Sequence, residues 1–125
     1  MLFKHEKFVG ASGVELAFKI ECDALRRSDW QCIADVSTRR LPAFGRAVGV
    51  PQGGLILAEM LHEYRDPKSR LVLIVDDVWT TGHSMNEFAE EYMRKTRWAK
   101  DWLGFVAFAR MLTPIHVYQF ARVMV

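Results

Sequence analysis

The chain has 125 residues, 50% of them apolar and 26% charged, and a net charge of +2. That supports one soluble domain with a real core. The charge is too mild, and too free of like-sign runs, to point to nucleic acid as a partner. Cys22 and Cys32 show no metal-ligand spacing and no Cys/His cluster, so both are expected as buried or half-buried thiols in a reducing cytoplasm. The N-terminal stretch lacks an apolar core of signal-peptide length and no apolar run could span a bilayer, so a cytoplasmic location without a membrane partner is expected.

In chain order, Val14–Glu21 alternates as a strand does. A helix is expected over 28–41, with Ser28 or Asp29 as N-cap and Pro42 as its stop. Arg46–Val50 is a short apolar strand, Pro51–Gly54 a turn, and Leu55–Arg65 a helix with an apolar stripe. Asp66–Ser69 is a tight connection. Leu71–Val75 is a continuous apolar run, the mark of a strand buried on both faces. Trp79–His83 is a loop, and a helix over Ser84–Trp98 follows with Ser84 as N-cap and acidic residues early. Trp102–Ala109 is a second buried strand and Ile115–Val125 a last strand with a tail. Alternating strands and helices predict one α/β domain, a doubly wound, mainly parallel sheet with flanking helices.

The most informative stretch is LVLIVDDVWTTGHSM, Leu71–Met85. It places two adjacent carboxylates, Asp76 and Asp77, where a buried strand ends, and open α/β sheets bind ligands at that end. Adjacent carboxylates repel and need cations or hydrogen-bond donors, such as the neighbouring hydroxyls of a ribose. The following Thr80, Thr81, Gly82, His83 and Ser84 offer successive N–H groups, hydroxyls and a helix N-terminus, which suit an anion. Together they describe a ribose 5-phosphate site. A P-loop is excluded by the missing lysine, and a Rossmann fingerprint by the missing glycines. A response-regulator acid pocket would carry its aspartates on the first strand.

The stretch closely resembles the phosphoribosyl-pyrophosphate (PRPP) motif of type I phosphoribosyltransferases. AVGVPQGGLILAEML resembles that family's pyrophosphate loop. FVGASGVELAFKIECDAL (Phe8–Leu25) is similar to the N-terminal hood segment of orotate phosphoribosyltransferases. The resemblance implies a single phosphoribosyltransferase-like domain, with residues 1–27 as a reduced hood and 28–125 as the α/β core. It implies that Asp76 and Asp77 bind the ribose hydroxyls and that Thr80 to Ser84 cradle the 5-phosphate. Gln52, Gly53 and Gly54 would lie along the pyrophosphate. Mg²⁺ would be held through PRPP oxygens and water rather than by direct protein ligands. The reaction implied is transfer of ribose 5-phosphate from PRPP to a nucleobase through an oxocarbenium-like transition state, governed by positioning and charge stabilisation. Thr80 stands where purine-salvage members have an aspartate and orotate-type members a threonine. Arg110, after GFVAFA, matches a base-side arginine of the orotate type, or is a surface arginine. Trp79, large for its position, would either wall a planar base or pack in the core.

Two departures stand out. Ala11 occupies the place of the hood lysine of orotate-type enzymes. The family's long mobile lid, between the pyrophosphate-loop helix and the acidic strand, is reduced to HEYRDPKSR, His62–Arg70. That interval must turn at the far end of the sheet, so Lys68 and Arg70 are expected on the wrong side to act as a lid. The expectation is thus a compact PRPP-dependent phosphoribosyltransferase nearest the orotate type. The alternative is a PRPP- or nucleotide-binding regulatory module without turnover. A homodimer is implied by the resemblance alone.

Overall fold

The computed structural model describes residues 22–123 and, before them, the backbone at positions 3–4, 8–9, 15–16 and 19–20. Strands β1 (Phe3–Lys4) and β4 (Lys19–Ile20) pair antiparallel, as do β2 (Phe8–Val9) and β3 (Glu15–Leu16). The rest of the expected strand over Val14–Glu21, Ala11 and most of the hood-like segment lie outside the described residues.

The remainder runs α1 (Arg27–Ser37), a 3₁₀ turn (Thr38–Arg40), β5 (Arg46–Gly49), α2 (Leu55–His62), β6 (Leu71–Trp79), α3 (His83–Lys95), β7 (Asp101–Ala109) and β8 (Val117–Arg122). Strands β5 to β8 form one four-stranded sheet in that order, every pair parallel. This is the expected α/β architecture, with helices on both faces. The centre of β6 is inaccessible to solvent, Val72 to Val75 each being 0% exposed. Strand alternation sends Leu73 and Val75 into a core with Trp30, Ile33, Leu57 and Leu61 of α1 and α2. Val72 and Ile74 go to the opposite core with Met85 and Ala89 of α3.

The connectivity has an unusual consequence. Both helical crossovers step the same way across the sheet, β5 to β6 and β6 to β7, yet α2 and α3 cover opposite faces. The two crossovers therefore have opposite hands, and one departs from the right-handed rule. The return from α2 is short and lies at the N-terminal end of the sheet. There Asp66 N–H donates to Phe44 O (2.8 Å), and Gly45 N–H to Leu71 O (2.7 Å). Lys68 and Arg70 are in this return, at the end where β5 and β6 begin.

Several boundaries differ from the sequence expectation. α1 is capped at Arg26, whose N–H donates to Asp29 Oδ2 (2.8 Å), so Asp29 acts from the third helical position and neither it nor Ser28 is the N-cap. α3 begins at His83 behind Gly82 rather than being capped by Ser84, its first turn holds no acidic residue, and it ends at Lys95. Trp98 lies beyond it, with the Arg46 guanidinium 5.0 Å from its ring centre. Cys22 is half-buried, but Cys32 is exposed rather than buried. Among the described residues no helix is long and apolar enough to cross a membrane.

Candidate functional site

The sequence places the aspartates at the end of a strand closing on Val75. In the structure β6 continues through them to Trp79. The reason is its neighbour: β7 is equally long, and Asp76, Val78 and Trp79 pair with Val106, Phe108 and Ala109. On the other side β5 stops opposite Val75. The chain then lifts away, and Val50 N–H donates to Val75 O at 2.7 Å. The two carboxylates thus stand on a strand that is paired on one side and open on the other.

Alternation along β6 separates their surroundings. Asp76 lines a pocket shared with Thr80, Thr81, Gly82, His83 and Ser84. Asp77 faces the loop after β5, so close to Gly53 that a Cβ there would lie 2.3 Å from Asp77 Oδ2. Gly54 is equally constrained, since a Cβ would fall 2.1 Å from Val75 O. The peptide bond between Pro51 and Gln52 is cis. Gln52 and Gly53 are exposed and Gly54 is buried. The fold therefore joins the 52–54 loop to the acidic strand by glycine contacts, for which the sequence holds no signal beyond the glycines themselves.

The turn after β6 is built on Gly82, whose φ of +84° belongs to the left-handed region that favours glycine. Asn86 N–H makes the first bond of α3, to Gly82 O at 2.9 Å. The N–H groups of His83, Ser84 and Met85 precede that bond, as at any helix start, and face the end where an anion is stabilised. Trp79 is 5% exposed and packs beneath this turn, its ring 2.2 Å from where a Gly82 Cβ would stand. Trp79 thus packs as a floor under the turn and is also one of the residues lining the pocket around Asp76. Met85, also lining the pocket, carried no sequence signal for a site role. His83 Nε2 pairs with Glu87 Oε2 at 3.1 Å on the exposed side of α3.

Arg110 follows β7 and is fastened beside the acidic strand by its N–H, which donates to Trp79 O at 2.9 Å. It is half-buried, and that burial holds its guanidinium below the usual arginine value. The elements carrying Gln52 to Gly54, Asp76, Asp77, Thr80 to Ser84 and Arg110 all meet at the C-terminal end of one sheet.

Electrostatics sharpen the pair. Burial, then the hydrogen bond and negative charge of Asp77, push Asp76 up to about 8. The backbone N–H of Asp77 donates to Asp76 Oδ1 at 2.8 Å and opposes the rise without cancelling it. Val78 N–H similarly donates to Asp77 Oδ1 at 2.8 Å. The rise favours the protonated form of Asp76 in the ligand-free protein. Among the described residues no three His, Cys, Asp or Glu side chains converge as a metal cage.

No protein-family model matches the chain, and no curated protein matches it. Solved structures do. Orotate phosphoribosyltransferase from Aeropyrum pernix aligns with a TM-score of 0.70 and 25% identity over 87% of this chain and 76% of its own. The orotate phosphoribosyltransferase of Mycobacterium tuberculosis H37Rv, solved with Fe(III) dicitrate, aligns at 0.66 and 13% identity over 97% and 89%. That of Francisella tularensis aligns at 0.65 and 13% over 97% and 80%. The chain has the type I phosphoribosyltransferase fold.

Proposed function

We propose that the chain is a compact PRPP-dependent phosphoribosyltransferase that transfers ribose 5-phosphate to an orotate-like nucleobase and releases pyrophosphate. The observation that carries this reading is the contact of Gly53 with the Asp77 carboxylate, which sets a glycine loop against a carboxylate pair that continues into an N–H-rich turn. In this reading Asp76 and Asp77 accept hydrogen bonds from the two ribose hydroxyls. The turn from Thr80 to Ser84 holds the 5-phosphate through its N–H groups and hydroxyls. The glycines at 53 and 54 leave room for pyrophosphate to lie against the backbone. Mg²⁺ would arrive with PRPP, offset the diphosphate charge and sit within reach of the carboxylates. Arg110 faces the base and can pair with its carboxylate or carbonyl groups. Positive charge developing on the ribose ring would be stabilised by the carboxylate beneath it, with no covalent nucleophile required.

One observation favours a second reading, a PRPP- or nucleotide-binding module without turnover. The return from α2 lies at the opposite end of the sheet, so that segment supplies no lid over the site. Calorimetry with PRPP and Mg²⁺ tests binding, and pyrophosphate release across orotate, uracil and purines tests turnover. Absence of binding by PRPP and by nucleotides, or equal binding by an Asp76→Asn, Asp77→Asn double variant, refutes both readings. Binding without base-dependent release above the double variant's rate leaves only the second.

A further inference from the structure

We propose that a cavity between the end of α1 and strands β7 and β8 is a second ligand site, taking a small planar carboxylate of single-ring size. The cavity has a volume of about 120 Å³. Phe105, Tyr118 and Phe120 give it aromatic walls, Ser37, Arg40, Gln119 and the Tyr118 hydroxyl supply its polar groups, and none of the described lining residues is acidic. An apolar cavity of about 150 Å³ is known to hold benzene, so the space suits one six-membered ring and little more.

The polar groups decide what that ring must carry. Ser37 is 4% exposed, and its Oγ is buried without a hydrogen-bond partner. A buried hydroxyl left unpaired is costly, and a ligand acceptor would relieve it. Gln119 carries an amide NH₂ able to donate, and its Oε1 lies 3.5 Å from Thr113 Oγ1, whose hydroxyl donates to Val117 O at 3.1 Å. Arg40 adds a guanidinium, a donor with no acceptor capacity. The groups able to donate, on Ser37, Gln119 and Arg40, with no acidic residue among the described lining, favour a negatively charged acceptor, which a carboxylate supplies in planar form. The aromatic walls call for an aromatic body behind it. A bare inorganic anion would leave the aromatic walls without a partner, and the exposed Arg40 guanidinium adds a positive charge at the mouth of the cavity. The cavity shares no lining residue with the pocket around Asp76, so the proposal stands independently of the PRPP reading.

The test uses the full chain and benzoate as probe, followed by saturation-transfer NMR and calorimetry. Wild type is expected to bind benzoate saturably, one to one, and benzamide at least tenfold more weakly. Arg40→Gln, a surface change, is expected to weaken benzoate at least tenfold. Ser37→Leu, which fills the cavity and removes the hydroxyl, is expected to abolish binding. Added PRPP and Mg²⁺ should leave the benzoate affinity unchanged. The proposal is overturned if wild type shows no saturable binding, if benzamide binds equally, if Arg40→Gln binds as wild type does, or if PRPP competes with benzoate. Should Ser37→Leu fail to fold, Arg40→Gln and the benzamide comparison decide the matter alone.

Discussion

Replacing Asp76 with asparagine should change how the stability of the ligand-free protein depends on pH. Burial and Asp77 raise Asp76 in the folded chain to about 8, from 3.8. Between those values the folded state holds a proton that the unfolded chain has released, so stability is fullest below pH 4 and falls as pH rises toward 8. One proton gives at most about 1.4 kcal/mol per pH unit, hence a loss of roughly 2–3 kcal/mol between pH 5 and 7. For a domain near this size that is on the order of 10 °C in Tm. His62 works in the opposite direction, because burial, then Arg65 and Arg46, lower it, and its contribution grows as pH rises through the histidine range. The informative quantity is therefore the difference between wild type and Asp76→Asn, measured by urea unfolding at pH 5, 6, 7 and 8. That difference should shift steadily in favour of the variant as pH rises. Parallel curves, with a difference constant within about 0.5 kcal/mol, would refute the raised carboxyl. PRPP with Mg²⁺ should reverse the pattern: the cation favours the ionised pair, so affinity should tighten from pH 6 to pH 8 more steeply in wild type than in the variant, where only the ionisation of PRPP's own phosphate remains.

Three further substitutions test the local geometry. Gly53→Ala places a Cβ 2.3 Å from Asp77 Oδ2, and calorimetry should show PRPP affinity falling at least tenfold while the unfolding midpoint scarcely moves, because the loop is exposed. Gly82→Ala combines a φ of +84° with a clash on the buried Trp79 ring, and urea unfolding should show a loss of about 2–4 kcal/mol, part of it recovered by a second change of Trp79 to Leu. His62→Leu removes the Nδ1 that accepts the Ala47 N–H at 3.2 Å on the outer edge of β5; a loss of about 1 kcal/mol is expected, with increased self-association by light scattering as the uncovered edge becomes available for pairing.

Leu71 to Val75 announces a strand buried on both faces because nothing but burial explains five apolar residues in a row. The Thr80 to Ser84 turn announces itself because a glycine among hydroxyls after such a strand has few other uses. The length of β6 was not legible, since its last four residues include two aspartates. They are held extended by β7, and pairing with an equally long neighbour overrides their poor strand preference. The helix caps differ from the sequence expectation for a related reason. Asp29 can act from inside the helix on the Arg26 N–H, and Gly82 starts α3 by conformation rather than by a side-chain bond. The separation of Asp76 and Asp77 toward different loops follows from strand alternation, but only once the strand is known to include them. The cavity beside Ser37 depends on how α1 meets β7 and β8, a contact between residues far apart in the chain.

The opposite hands of the two crossovers bear directly on chemistry. A sheet in sequential order with helices on both faces is hard to reach by right-handed steps alone. After α2 the chain returns beneath the sheet, and the segment that could have covered Asp76, Asp77 and the Gly53 loop is too short to leave the far end. In the proposed reaction a ribosyl cation forms in a site that this segment does not shield, and water competes with the base for it. Pyrophosphate release should therefore exceed nucleotide formation, with free ribose 5-phosphate making up the difference, and the excess should shrink as the base concentration rises. Simultaneous assay of pyrophosphate, nucleotide and ribose 5-phosphate checks this. Equal yields of pyrophosphate and nucleotide at sub-saturating base would show that the site is closed during turnover, and that something other than the α2–β6 return closes it.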